Sequence, residues 1–342
     1  MTLQWSVSCQ RPSVSYALDM TTQRSIAWLK GLVDRLTPEH ALEDTATQAI
    51  STLREALLND LKFYDPYVAG QIQALLDRVE ARGITPPLLP QVALELLALS
   101  QSSHVNFEQM AHLAASDPAV AARIMELGSS PIVSSLGPPK GVKEAVIRMG
   151  VHGVRQIAFE LAYASKTFKR GPHVRMAERI IGHARTTSTT CRLLARDVGV
   201  HGGLAALTGL VHALGGIVLI DALSSSSSAP SLRTKRNHRE IPGFLVYLCV
   251  TKLHPMVTGQ MATHFGLDPQ LIEAVSDHHR SLENAQTLTR LLYLSDRISA
   301  GEPGSRAMPL SEAIERSALN ISKERVQAHL QPLKGEIAAA SS

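Results

Sequence analysis

Apolar positions recur at intervals of three and four along almost the whole chain, and nowhere does a strict apolar–polar alternation run far enough to predict a strand. Ile50, Leu53, Leu57 and Leu61 place one stripe on a helix. Asp65-Pro66 then reads as a cap followed by a first-turn proline, opening a helix that turns Val68, Ile72, Leu75 or Leu76, and Val79 inward and stops at Gly83. Three prolines in "ITPPLLP", Ile84 to Pro90, cannot continue a helix and mark a domain boundary. Beyond it Leu89, Val92, Leu96 and Leu97 form a second stripe, and Asn106 with Gln109 gives a capping-box start. Asp117-Pro118 repeats the cap-plus-proline signal, "VKEAVIRMG" ends on Gly150, and Val154 to Phe168 completes a lobe of short helices.

The pattern continues with a helix from Glu178 to Val198 and an apolar helix from Leu204 to Ile220. Five more helices follow: Pro255 to Phe265, Pro269 to His278, "LTRLLYLSDRIS", and a C-terminal pair closing near Leu333. The expected fold is therefore all-α. It divides into a helical extension (1–84), a main domain (85–304) with lobes at 85–170 and 171–304, and C-terminal helices with a tail (305–342). Residues 224–243 interrupt the second lobe with a serine run and a basic tract, a composition that buries no apolar area and predicts a mobile loop.

Composition narrows the classes. A chain of 342 residues, 44% hydrophobic and 19% charged, has ample material for a core. The formal charge of +4 is a small excess, to which Arg233, Lys235, Arg236 and Arg239 in one loop contribute most; solvated loop charge explains it, ahead of a phosphate or lipid patch. Aromatic residues at 4% supply few stacking platforms, which argues against nucleic-acid binding. Cys9, Cys191 and Cys249 form no C-x-x-C pair and read as reduced thiols. The N-terminus shows no basic start followed by an apolar run, so a cytoplasmic protein is expected. The stretch from Leu204 to Ile220, seventeen residues, falls short of the roughly 20 that a membrane span needs, and reads as a buried core helix.

The polar residues set inside these apolar helices are His183, His212, His254, His278, His279 and Asp296. Imidazole and carboxylate suit divalent Mn, Fe, Ni or Zn, and a buried histidine or aspartate needs a partner in any case. Their order resembles the HD phosphohydrolase superfamily. The upstream segments "PPLLPQVALELLALS", "LAASDPAVAARIMELGSSP" and "VKEAVIRMGVHGVRQIAFEL" are similar to the N-terminal lobe of its HDOD branch, the HD-related output domains of bacterial signalling proteins. The resemblance covers roughly residues 85 to 300 and implies an N-terminal helical lobe packed on an HD-like lobe. It aligns His183 with the first family histidine, His212 with the histidine of the His-Asp doublet, Asp296 with the last aspartate, and His254, His278 and His279 with the later histidines. Neighbours on a helix point about 100° apart, so only one of His278 and His279 is expected to face the centre.

The departure is Ala213, in "VHALGG", where the doublet aspartate would stand. A methyl group offers neither charge nor lone pair, so affinity for a metal should fall and a nucleophilic water would lose an orienting partner. The lysine that follows the doublet in related cyclic-dinucleotide phosphodiesterases is also absent, with Gly216 in that neighbourhood. The resemblance implies a non-catalytic signal-transduction module with a degenerate site. No cofactor is expected beyond a weakly bound divalent metal, and action is through a signalling protein partner. The amphipathic helices before residue 84 offer a face for that partner or for a second copy, or simply cap the domain. The alternative is a divergent metal-dependent phosphohydrolase working with the residual His/Asp set. The histidines themselves fit either a weak metal pocket or hydrogen-bonded structural groups.

Overall fold

The computed structural model describes residues 50–51, 54–55, 66–102, 104–131, 133, 136–165, 172–226, 241–299 and 308–331. Every regular element among them is helical. The stripe residues Leu53, Leu57 and Leu61, Asp65, Cys9 and the basic residues Arg233 to Arg239 lie outside the described residues.

Helix α1 (Pro66–Glu80) buries Val68, Ile72, Leu75, Leu76 and Val79, so both leucines face inward. It packs against a later helix of the second lobe, and the Val79 carbonyl accepts from Gln260 Nε2 at 2.8 Å. This part of the extension therefore shares one continuous core with the rest of the chain. The first lobe follows as α2 (Gln91–Ser100), α3 (Phe107–Ala115), α4 (Pro118–Gly128) and α5 (Val142–Ala164). Asn106 Oδ1 accepts from the amides of Glu108 and Gln109, and Asp117 Oδ1 from those of Ala119 and Val120, so the N-caps expected at Asn106 and Asp117 form. The predicted stop at Gly150 is instead a kink: the glycine takes φ 63° and ψ −173°, and the helix resumes at once.

The second lobe is built from α6 (Val174–Ala195), α7 (Gly202–Val211), α8 (Leu214–Ser226), α9 (Gly243–His264), α10 (Pro269–Asp277) and α11 (Thr287–Ser299). Helices α12 (Leu310–Ser317) and α13 (Lys323–Leu330) close the chain against α11 and α6. Two helices differ from expectation at their starts. Helix α6 begins four residues before Glu178, and α9 begins twelve residues before Pro255, which sits inside the helix without ending it.

The single apolar helix expected from Leu204 to Ile220 is two helices, broken at His212-Ala213. Together Gly202–Ser224 spans 23 residues with mean hydropathy 2.0, long and apolar enough to cross a membrane, yet 94% of its most apolar window is buried inside the protein. Length alone misjudged it; burial agrees with a core element. The lobes interlock where α5 packs on α2 and α7, with Tyr163 fully buried and its hydroxyl donating to the Leu210 carbonyl at 2.9 Å.

Candidate metal centre

Five helical segments carry the six sequence-selected residues to one place. His183 comes from the middle of α6, His212 from the break between α7 and α8, His254 from α9, His278 and His279 from the turn after α10, and Asp296 from α11. His183 Nε2 lies 2.8 Å from Asp296 Oδ1, and His212 Nε2 lies 3.2 Å from His183 Nε2 and 3.5 Å from the same carboxylate oxygen. The His278 ring meets His212 and His254 edge-on, at 5.6 Å and 5.5 Å between centroids, and lies tilted against His279 at 4.0 Å. His254 also contacts His279, at 5.1 Å. The result is an unbroken chain of imidazoles running from Asp296 to His279.

Both His278 and His279 reach the cluster, against the expectation that only one would. Helix α10 ends at Asp277, so the two histidines lie in a turn and the 100° rotation of successive helical residues does not separate them.

Three of the rings are fixed by their own helices. His212 Nδ1 donates to the Gly209 carbonyl at 2.7 Å, His254 Nδ1 to Val250 at 3.0 Å, and His278 Nδ1 to Val275 at 3.0 Å. A neutral imidazole that gives its Nδ1 proton to a carbonyl keeps its lone pair on Nε2, which is how metal-binding histidines are commonly held. At His254 the neighbouring Pro255 has no N–H for the helix, and the ring occupies that turn.

Burial pulls His254 down to about 4 and His279 to about 3, and lowers His278 well below the usual imidazole range. Burial would by itself raise Asp296, but the hydrogen bond from the His183 imidazole holds its carboxyl well below the usual carboxylate range. At neutral pH the imidazoles of His254, His278 and His279 are thus neutral, while Asp296 is ionised.

Two groups of donor atoms each lie within 4.8 Å of one another: His183, His212 and Asp296, and separately His254, His278 and His279. His278 Nε2 is buried with no hydrogen-bond partner, an uncompensated lone pair of the kind a cation satisfies. Donor chemistry and this orphaned atom therefore fit a divalent ion. Ala213, 5% exposed, contributes nothing to either group.

Sequence reasoning missed Thr258, whose hydroxyl bridges the helix break, and Arg297, whose Nη2 lies 3.3 Å from His279 Nδ1. Arg297 adjoins Asp296 and was open to suspicion on that ground. Thr258 carried no signal beyond its position one turn after His254.

The HDOD domain family matches residues 87–281, more than half of the chain. The chain belongs to that family. Among solved structures, an HDOD domain protein of unknown function from Geobacter sulfurreducens superposes with TM-score 0.52 at 18% identity, over 79% of this chain and 96% of its own. A candidate metal-dependent phosphohydrolase from Shewanella amazonensis SB2B superposes with TM-score 0.60 at 18% identity, over 80% and 99%. At such identities the likeness is one of fold. The HDOD chain is also 21% identical over 174 residues to ribonuclease Y of Geotalea uraniireducens, covering 51% of this chain but only 27% of that enzyme.

Proposed function

We propose that this HDOD protein is a regulatory module of signal transduction, in which a degenerate HD site holds a divalent ion weakly and does not turn over a phosphoester. The observation that carries the reading is Ala213 beside His212: the donors converge, but the doublet carboxylate is a methyl group. One carboxylate, Asp296, is the sole anion among the six residues, too little charge to neutralise a pair of divalent ions in a buried setting. The surroundings are also closed: the side chains of His212 and Asp296 are 2% and 8% exposed, and His183, at 26%, is the most open of that group. A bound ion would supply Lewis acidity. His183, His212 and Asp296 would hold it, with His254, His278 and His279 as the second group of nitrogen donors. The output is contact with a signalling protein partner, as HDOD membership implies.

Metal analysis of untagged full-length protein, grown with Mn, Fe, Ni and Zn and purified without chelator, tests the reading together with a phosphodiesterase assay on the same sample. The expected result is bound metal that falls in His212→Ala and Asp296→Ala, with no hydrolysis. Metal-dependent hydrolysis of a nucleotide or cyclic dinucleotide that vanishes in His212→Ala would overturn it. It would favour the second reading, a divergent phosphohydrolase, for which the intact His183/His212/Asp296 group speaks.

A further inference from the structure

We propose that Thr258 is the positioning residue of this site: its hydroxyl holds open the helix break that carries His212 and ties it to the turn that carries His254. Thr258 is fully buried. Its Oγ1 donates to the His212 carbonyl at 2.8 Å and accepts from the Gly215 amide at 2.9 Å. Were α7 and α8 continuous, the His212 carbonyl would accept from Gly216, but the Gly216 amide bonds Ala213 at 3.0 Å instead. Gly215 stands in the first turn of α8, where amides have no carbonyl of their own helix to reach. One hydroxyl therefore satisfies a buried acceptor and a buried donor that the break creates.

The contact is made close by the absence of a side chain at Gly215. A Cβ there would lie 2.4 Å from the His254 carbonyl oxygen and 2.6 Å from the Thr258 amide, so the backbone of α8 rests on the backbone of α9 beside His254. His212 belongs to one donor group and His254 to the other. The spacing between the two groups is thus set by backbone contact through Thr258, before any ion is bound. This inference rests on the metal-holding reading only for its zinc measurement.

The test compares wild type, Thr258→Val, Thr258→Ser and Val257→Ala as full-length, metal-free protein. Val257, fully buried one residue away, controls for lost packing. Zinc alone is titrated by calorimetry, and histidine ring signals are followed by 15N NMR without metal. Thr258→Val is expected to weaken zinc by about 10–100-fold, the usual consequence of losing a ligand-orienting contact, and to shift or abolish the His212 Nδ1–H signal. Thr258→Ser should behave as wild type, and Val257→Ala should melt earlier while keeping both. Wild-type zinc affinity and ring signals in Thr258→Val, or equal losses in Val257→Ala, would overturn the proposal. If wild type takes no zinc, the metal reading fails, while the ring signals still decide the role of Thr258. Should Thr258→Val not fold, Thr258→Cys, a weaker donor of similar size, replaces it with a smaller loss expected.

Discussion

His183 and Asp296, 113 residues apart in sequence, meet at 2.8 Å with the His212 ring against both. The contact anchors the one carboxylate of an imidazole-lined interior, and that interior makes stability depend on pH. In the metal-free native protein His254 titrates at about 4 and His279 at about 3, whereas unfolded histidines titrate near 6.5. Below that pH the unfolded chain binds protons that the native site refuses, so stability falls as pH drops from 6.5 towards 4 and then 3. The slope is up to about 1.4 kcal/mol per pH unit for each such histidine. Asp296, depressed below its usual value, adds to the fall once pH drops below about 4, where the unfolded carboxyl takes up a proton that the native one refuses. Urea midpoints in chelator at pH 7 and pH 5 should differ clearly; equal midpoints would contradict the assignment of neutral buried rings.

Ala213→Asp restores the doublet carboxylate. The position is 5% exposed, so an unpaired carboxylate there costs more than the roughly 1–3 kcal/mol of a buried neutral polar group, or takes up a proton, without metal. A divalent ion turns that cost into a ligand. The variant should therefore melt earlier than wild type in chelator and gain more from added Mn or Zn than wild type does. Differential scanning calorimetry with and without metal checks this, and equal metal-induced shifts in the two proteins would count against Ala213 as the missing ligand.

Two glycines on neighbouring helices should respond to alanine with opposite signs. A Cβ on Gly209 would stand 2.8 Å from the backbone of Thr187 and Ser188, where α7 presses against α6 and fixes His212 relative to His183. Backbone cannot yield as a flexible side chain can, so Gly209→Ala should cost about 1–3 kcal/mol. Gly182, inside α6 and next to His183, has nothing within 4 Å of such a Cβ, and Gly182→Ala should gain about 0.5–1 kcal/mol. Urea unfolding of both variants measures the difference.

What could be read in advance follows the range of the interaction responsible. The caps at Asn106 and Asp117 are local bonds to amides two or three residues on, and their signals were complete in the sequence. The family resemblance pointed to six residues by their order along the chain, which needs no knowledge of where each helix ends. The break at His212 was illegible, because the hydroxyl that splices it belongs to Thr258, 46 residues away. Pro255 misled for a related reason: a proline reads as a helix start, but inside α9 the packing of Leu248, Leu253 and Val257 outweighs one lost hydrogen bond. The paired reach of His278 and His279 depended on a helix ending at Asp277, and terminal residues are the least certain part of any helix.

Arg155 links the first lobe to the site through Asp268. From α5 its guanidinium donates to Asp268 Oδ2 at 2.8 Å, to Ser100 Oγ at 2.9 Å and to the Ser100 carbonyl at 3.0 Å. Asp268 precedes α10 and does not cap it with its side chain; the carboxylate is turned to Arg155 instead, with His152 Nδ1 at 3.5 Å. The far end of α10 leads into the turn of His278 and His279, so the guanidinium steadies the helix that positions two of the five imidazoles. Breaking a fully buried pair costs about 3–5 kcal/mol, but the Asp268 side chain is 36% exposed and remains partly solvated without its partner. Arg155→Met, of similar length, should therefore lose about 1.5–3 kcal/mol, the range of hydrogen bonds to a charged group. Amides of α10 should also exchange faster than those of α6 relative to wild type. A loss under about 1 kcal/mol with α10 exchange unchanged would mean that α10 holds its place without Arg155, through the packing of Leu271, Ala274 and Val275 alone.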